Sequence, residues 1–188
     1  MDPIDERVIL LLSGPVAVGK STLGRQLVEN HGFRTIRSGR HLHDLAQRAG
    51  SDTSRAGLQH LGDVLDERTD YAWLINDVAV PQIDGAREHA RWLLDSVRKE
   101  RQVEHFRGRF GGYVVHVHLT ASEKVLRARY EARLTAGVEY EGGTPYEVAV
   151  THPNEVASRA LIRIADLVLD TADPRALERV LAATRSRP

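Results

Sequence analysis

The chain has 188 residues, 41% hydrophobic and 28% charged, with 26 Lys plus Arg matched by 26 Asp plus Glu and no Cys. That length and mix suit one ordinary hydrophobic core, taken as a single domain over 1–188, and the even charge disfavours nucleic acid as an obligate partner. Disulfides and thiolate metal sites are excluded, no apolar run reaches the roughly 18 residues of a membrane span, and the acidic start Met1-Asp2-Pro3-Ile4-Asp5-Glu6 has no leader pattern, so a cytoplasmic protein is expected.

Val8-Ile9-Leu10-Leu11-Leu12 is a continuous apolar run, the signature of a strand buried on both faces. The turn Gly14-Pro15-Val16-Ala17-Val18-Gly19-Lys20-Ser21 follows and fits G-x-x-x-x-G-K-[ST]. Thr22 to Val28 then has helical spacing. Strand, glycine loop and helix together make a phosphate-binding loop. Gly14 and Gly19 permit close backbone approach. Loop amides and the positive end of the helix, from Gly14 through Thr22, point at phosphates. Lys20 supplies a point charge to the outer phosphates, and the Ser21 hydroxyl ligates Mg²⁺. ATP and Mg²⁺ are therefore the expected cofactors.

A second strand is expected over Phe33–Ile36, with Ser38-Gly39-Arg40 at its end, where an acceptor's phosphate would lie. From His41 to Val80 the pattern is mainly helical, with breaks near Gly50-Ser51-Asp52 and Thr69-Asp70. Residues 38–80 thus form a candidate acceptor-binding region, with Ser38, Arg40, Arg55 and Gln59 as its contacts and Asp63 at the same helical spacing. Two runs compete for the third strand, Trp73-Leu74-Ile75-Asn76-Asp77 and Trp92-Leu93-Leu94-Asp95. The second is preferred, because a helical pattern over 98–109 and a strand over 113–119 follow it at ordinary spacing. Asp95 then stands at a strand end, suited to the Mg²⁺ water shell or to orienting the attacking group. Arg98, three residues on, is suited to gripping an acceptor phosphate.

Tyr113–Leu119 reads as a clear strand, with His116 and His118 on one face in a packed, hydrogen-bonded role. Ser122 caps a helix through Leu134 that carries Arg127, Arg129 and Arg133. The polar stretch 137–151 is expected to be a mobile loop, and 122–155 a lid that brings arginines over the transferring group. Pro153–Ile164 reads as a helix with Glu155 in its first turn, Asp166–Asp170 as a short strand, and Pro174–Ala183 as a terminal helix. The fold class is α/β: three layers, a central parallel five-stranded sheet with helices on both faces and a helical lid.

Taken together, the loop at 14–21, Ser38-Gly39-Arg40, Asp95-Ser96-Val97-Arg98, Leu119-Thr120-Ala121-Ser122 with Arg129, and Ala165-Asp166-Leu167-Val168-Leu169-Asp170 resemble the nucleoside-monophosphate kinase branch of phosphate-loop proteins, which includes the adenylate, cytidylate, deoxynucleotide and dephospho-coenzyme A kinases. The resemblance runs over nearly the whole chain. It implies ATP- and Mg²⁺-dependent transfer to a small phosphorylated acceptor, with a nucleoside monophosphate as partner and no membrane. Lys20, Asp95, Arg129 and Arg133 would be catalytic. Ser38, Arg40, Arg55, Gln59 and Arg98 would hold the acceptor. Adenine would lie near Arg129 and against Thr171 and Asp173. The chain departs from the family in lacking the lid arginines followed by Asp of adenylate kinases and in having no zinc-type lid. The alternatives are an ATP-binding sensor that transfers nothing and a kinase acting on nucleic acid.

Overall fold

The computed structural model describes residues 7–136 and 143–185. Among them five strands form one parallel sheet in the order β2-β3-β1-β4-β5, namely β1 (Val8–Ser13), β2 (Arg34–Thr35), β3 (Arg91–Leu94), β4 (Val114–Thr120) and β5 (Leu167–Asp170). The apolar run of β1 has a direct cause: it is the central strand, and all six of its residues are buried. Leu10 and Leu12 face one helical layer, with Leu27 of α1 (Lys20–His31), Tyr130 of α6 (Glu123–Thr135) and Val180 of α9 (Ala176–Arg185). Ile9 and Leu11 face the other, with Ile75 and with Phe106 of α5 (Glu100–Phe110). Each such aliphatic side chain contributes roughly 1.5–3 kcal/mol by leaving water.

Because every strand is parallel, the loops after β1, β3 and β4 emerge at one edge of the sheet. The chain crosses from one side of β1 to the other there, which opens a crevice beyond the strands' carboxyl ends. Around this crevice stand α2 (Ser38–Arg48), α3 (Arg55–Thr69), α7 (Tyr146–Thr151) and α8 (Pro153–Ala160).

The third strand is Arg91–Leu94, as its flanking pattern requires. The competing run lies in a π-helical segment, Leu74–Ala79, that continues into α4 (Val80–Asp84). The geometry changes from π to α just before Pro81, the place where a missing N–H costs least.

One expectation is corrected. Within 137–151, residues 137–142 lie outside the described residues, but 146–151 are helical rather than loop. Tyr146 is the reason. Its ring is buried edge-on against Tyr130, with centroids 5.3 Å apart, and its hydroxyl donates to Glu123 at 2.6 Å. An aromatic anchor of that size outweighs the polar composition around it. The expected helix over 153–164 is α-helical to Ala160 and then tightens to a 3₁₀ turn over Leu161–Ile164.

Candidate functional site

The loop between β1 and α1 has the backbone its glycines allow. Gly14 and Gly19 have φ of +136° and +109°, and a Cβ on Gly14 would sit 2.5 Å from the Leu119 carbonyl oxygen. Any side chain there would push the loop off β4. Ala17 also takes a left-handed conformation, with φ +62°. Lys20 opens α1 and folds back over the loop, its Nζ donating to the carbonyls of Gly14 (2.7 Å) and Pro15 (3.0 Å). Burial lowers the Lys20 ammonium from 10.5 to about 8, with Glu155 opposing the shift. Arg98, Asp95 and Arg133 also act on it electrostatically. Residues far apart in sequence, at 95, 98 and 133, therefore stand within electrostatic reach of Lys20. Ser21 and Thr22 are exposed beside it at the helix start.

Arg129 clasps the loop from α6. Its Nη1 donates to the Val18 carbonyl at 2.9 Å and to Thr171 Oγ1 at 3.1 Å. Arg129 and Thr171 thus flank Gly19. Asp173 is committed elsewhere, accepting from the Arg175 amide (2.9 Å) and from Arg179 (3.2 Å) at the start of α9. Arg127 points away, paired with Glu147 and Glu131 and stacked on Tyr146.

Glu155 was legible in the sequence only as a first-turn acid of its helix. Its carboxylate accepts from the Val16 amide through both oxygens, at 3.0 and 3.1 Å. Arg159 holds it in place at 2.9 Å, and Arg159 also reaches Glu123 and the Tyr146 hydroxyl. Ser158 donates to the Gly14 carbonyl at 3.0 Å. One turn of α8 therefore lies on the phosphate loop and presents an anion to it.

Beside the loop, a cleft of about 230 Å³ opens between α2, α3 and the start of α5. Ser38, Arg55, Gln59 and Arg98 line it, as the sequence reading requires. Arg40 does not; it is exposed on α2, outside the lining. Asp63, at the helical spacing the sequence shows, stands in the same wall, and Asp66, Trp73, Ser96, Gln102 and Asn154 also line it and were not anticipated. The signal was present for one of them: Asp66 follows Gln59 and Asp63 at helical spacing on one face of α3. Asn154 joins α8 to this wall, donating to Asp63 at 3.1 Å.

His116 and His118 are packed and hydrogen-bonded, as expected. Both reach the Ser13 hydroxyl, at 2.7 and 2.8 Å. Burial lowers each from 6.5 to about 4, so both are neutral near pH 7. His116 Nδ1 is buried without a well-formed hydrogen bond, although the Ile164 backbone favours the protonated ring and partly opposes the effect of burial. Among the described residues no group of three or more His, Cys, Asp or Glu is arranged to hold a metal ion. Among those residues, too, no helix is long and apolar enough to cross a membrane.

A family model described as an AAA domain matches residues 10–144, most of the chain and the whole of the loop. The chain belongs to that family of P-loop NTPases. Solved structures with the same fold include a putative kinase from Chloroflexus aurantiacus (TM-score 0.58, 16% identity, covering 97% of this chain and 99% of that one). The tunicamycin resistance protein of Deinococcus radiodurans is similar (TM-score 0.57, 20% identity, 94% of each chain). So is a sugar kinase from Janibacter sp. HTCC2649 (TM-score 0.51, 17% identity, 94% of this chain and 93% of that one). At these identities the likeness is one of fold. No match was found among curated proteins.

Proposed function

We propose that the protein transfers the terminal phosphoryl group of ATP to a small-molecule acceptor bound in the cleft, with a nucleoside monophosphate as that acceptor. The observation that carries this reading is Arg98, which lines the cleft and also acts on Lys20 of the phosphate loop. An acceptor phosphate drawn to Arg98 would meet the phosphates drawn to Lys20.

The residues present fit ATP. The loop already accepts a carboxylate at the Val16 amide, so it is built for an anion. Lys20 would exchange two backbone carbonyls for phosphate oxygens, and phosphate charge would offset the cost of burying its ammonium. Arg129 and Thr171 support the nucleotide side, and Arg129 with Arg133 would stabilise charge in transit. Ser21 and Asp95 would hold Mg²⁺, which keeps most of its waters and needs few protein ligands. Bound there, the metal neutralises phosphate charge. Arg55 with Arg98 would orient the acceptor, and positioning with electrostatics would supply the rate.

A coupled assay of ADP release tests this, run with ATP and Mg²⁺ over nucleoside monophosphates, sugars and other hydroxyl or phosphorylated metabolites, and oligonucleotides. The expected result is release that depends on a nucleoside monophosphate and vanishes in Lys20→Ala. ATP binding without acceptor-dependent release would instead identify a sensor. Release confined to oligonucleotides would identify a nucleic-acid kinase.

A further inference from the structure

Asp66 is a buried carboxylate with an unused oxygen in a cleft. Only 8% of the residue is exposed. Its Oδ1 accepts from Trp73 Nε1 at 2.7 Å and from Gln102 Nε2 at 3.4 Å. No residue among those described donates to Oδ2, and this oxygen is not among the sealed, unpartnered polar atoms. It is therefore open to the cleft that Asp66 lines. The walls nearby are apolar, built by Leu42, Leu58, Trp73 and Leu74. Gln102 is fixed in turn, because its Oε1 accepts from the amides of Arg98 and Lys99 (3.0 and 3.2 Å). Desolvation raises the carboxyl above its ordinary range, the penalty that an incoming N–H donor would relieve.

We propose that Asp66 selects the acceptor by its base, Oδ2 accepting from a ring edge with adjacent N–H donors, the imino and amino pair of guanine. Apolar walls suit a flat ring, and a lone carboxylate oxygen has two lone pairs for two neighbouring donors. Adenine and cytosine set an acceptor nitrogen beside their amino group, which would face the carboxylate unfavourably. Uracil and thymine flank one imino N–H with two carbonyls. Two charges of the same wall act on Asp66, first Lys99 and then, with opposite sign, Asp63 one turn earlier on the same face. The inference rests on the cleft being the acceptor site, but base recognition is a binding property separate from phosphoryl transfer.

The test is calorimetric titration of wild type and Asp66→Asn with GMP, AMP, CMP and UMP, alongside ADP release. The substitution keeps the volume and the Oδ1 acceptor for Trp73 and Gln102. It replaces Oδ2 with an amino group that opposes the ligand's donors. GMP is expected to bind wild type most tightly and to weaken by at least about 30-fold in Asp66→Asn, the loss typical of a charged hydrogen bond. ATP affinity should be unchanged, and thermal unfolding should not fall, because the neutral amide escapes the desolvation of the buried carboxylate. Failure of wild type to prefer GMP, or equal GMP binding by the variant, overturns the proposal. GMP binding that depends on Asp66 without ADP release keeps base selection and removes the kinase reading. ADP release indifferent to Asp66→Asn does the reverse.

Discussion

Replacing Lys20 by Met should stabilise the nucleotide-free protein while abolishing ATP binding. Burial draws the Lys20 ammonium down from 10.5 to about 8. That drop of about 2.5, at about 1.4 kcal/mol each, is worth roughly 3.5 kcal/mol of destabilisation near pH 7. The Met side chain escapes this penalty but forfeits the hydrogen bonds to the Gly14 and Pro15 carbonyls, each worth about 1 kcal/mol. A net gain of about 1–2 kcal/mol follows. The pH dependence has a defined sign. Between about pH 8 and 10.5 the unfolded chain binds more protons at this lysine than the folded one, so wild-type stability gains from it as pH rises through that window. Lys20→Met lacks that contribution, and its advantage should fade by about pH 10.5. Urea unfolding at pH 7, 9 and 10.5, with calorimetric titration of ATP and Mg²⁺ into both proteins, measures each quantity. A variant less stable than wild type at pH 7, or one that binds ATP normally, would refute the reasoning.

Glu155→Gln removes the charge that competes for the Val16 amide, so ATP should bind roughly 5- to 30-fold more tightly, the equivalent of about 1–2 kcal/mol. Equal or weaker binding by calorimetry would show that the carboxylate supports the loop instead of competing for it. Asp95→Asn should lower Mg²⁺-dependent turnover at least about 10-fold, whereas Asp77→Asn, on the exposed side of the π-helical segment, should leave it near wild type; the opposite ranking in a turnover assay would displace Asp95 from the site. His116 and His118, both lowered to about 4, are neutral when folded and protonate more readily when unfolded. Stability should therefore fall as pH drops from about 6.5 towards 4, by on the order of 3 kcal/mol or more. Urea unfolding at pH 7 and 4.5 checks this, and a flat profile would mean the pair is hydrated.

The phosphate loop was readable without coordinates because its information is local. Gly14, Gly19, Lys20 and Ser21 lie within eight residues, and the strand before and helix after them follow from hydrophobic period alone. The third strand was readable for a similar reason, once the patterns after Trp92 were weighed with it. Tyr146 was harder. Its helix exists because Tyr130 and Glu123 receive it, and the six residues Tyr146–Thr151 carry no mark of those partners.

Local order along the chain decided that this protein has a parallel sheet with an anion-binding loop at the end of its central strand, since backbone propensity and periodicity act over neighbouring residues. Tertiary structure alone decided which charges meet there. Glu155 reaches Val16 across 139 residues, Asp66 meets Gln102 across 36, and Arg40 falls outside the cleft although Ser38, two positions earlier, lines it. Such contacts depend on how helices cross and which face each presents, and a linear pattern of residue types leaves that geometry open until the layers pack.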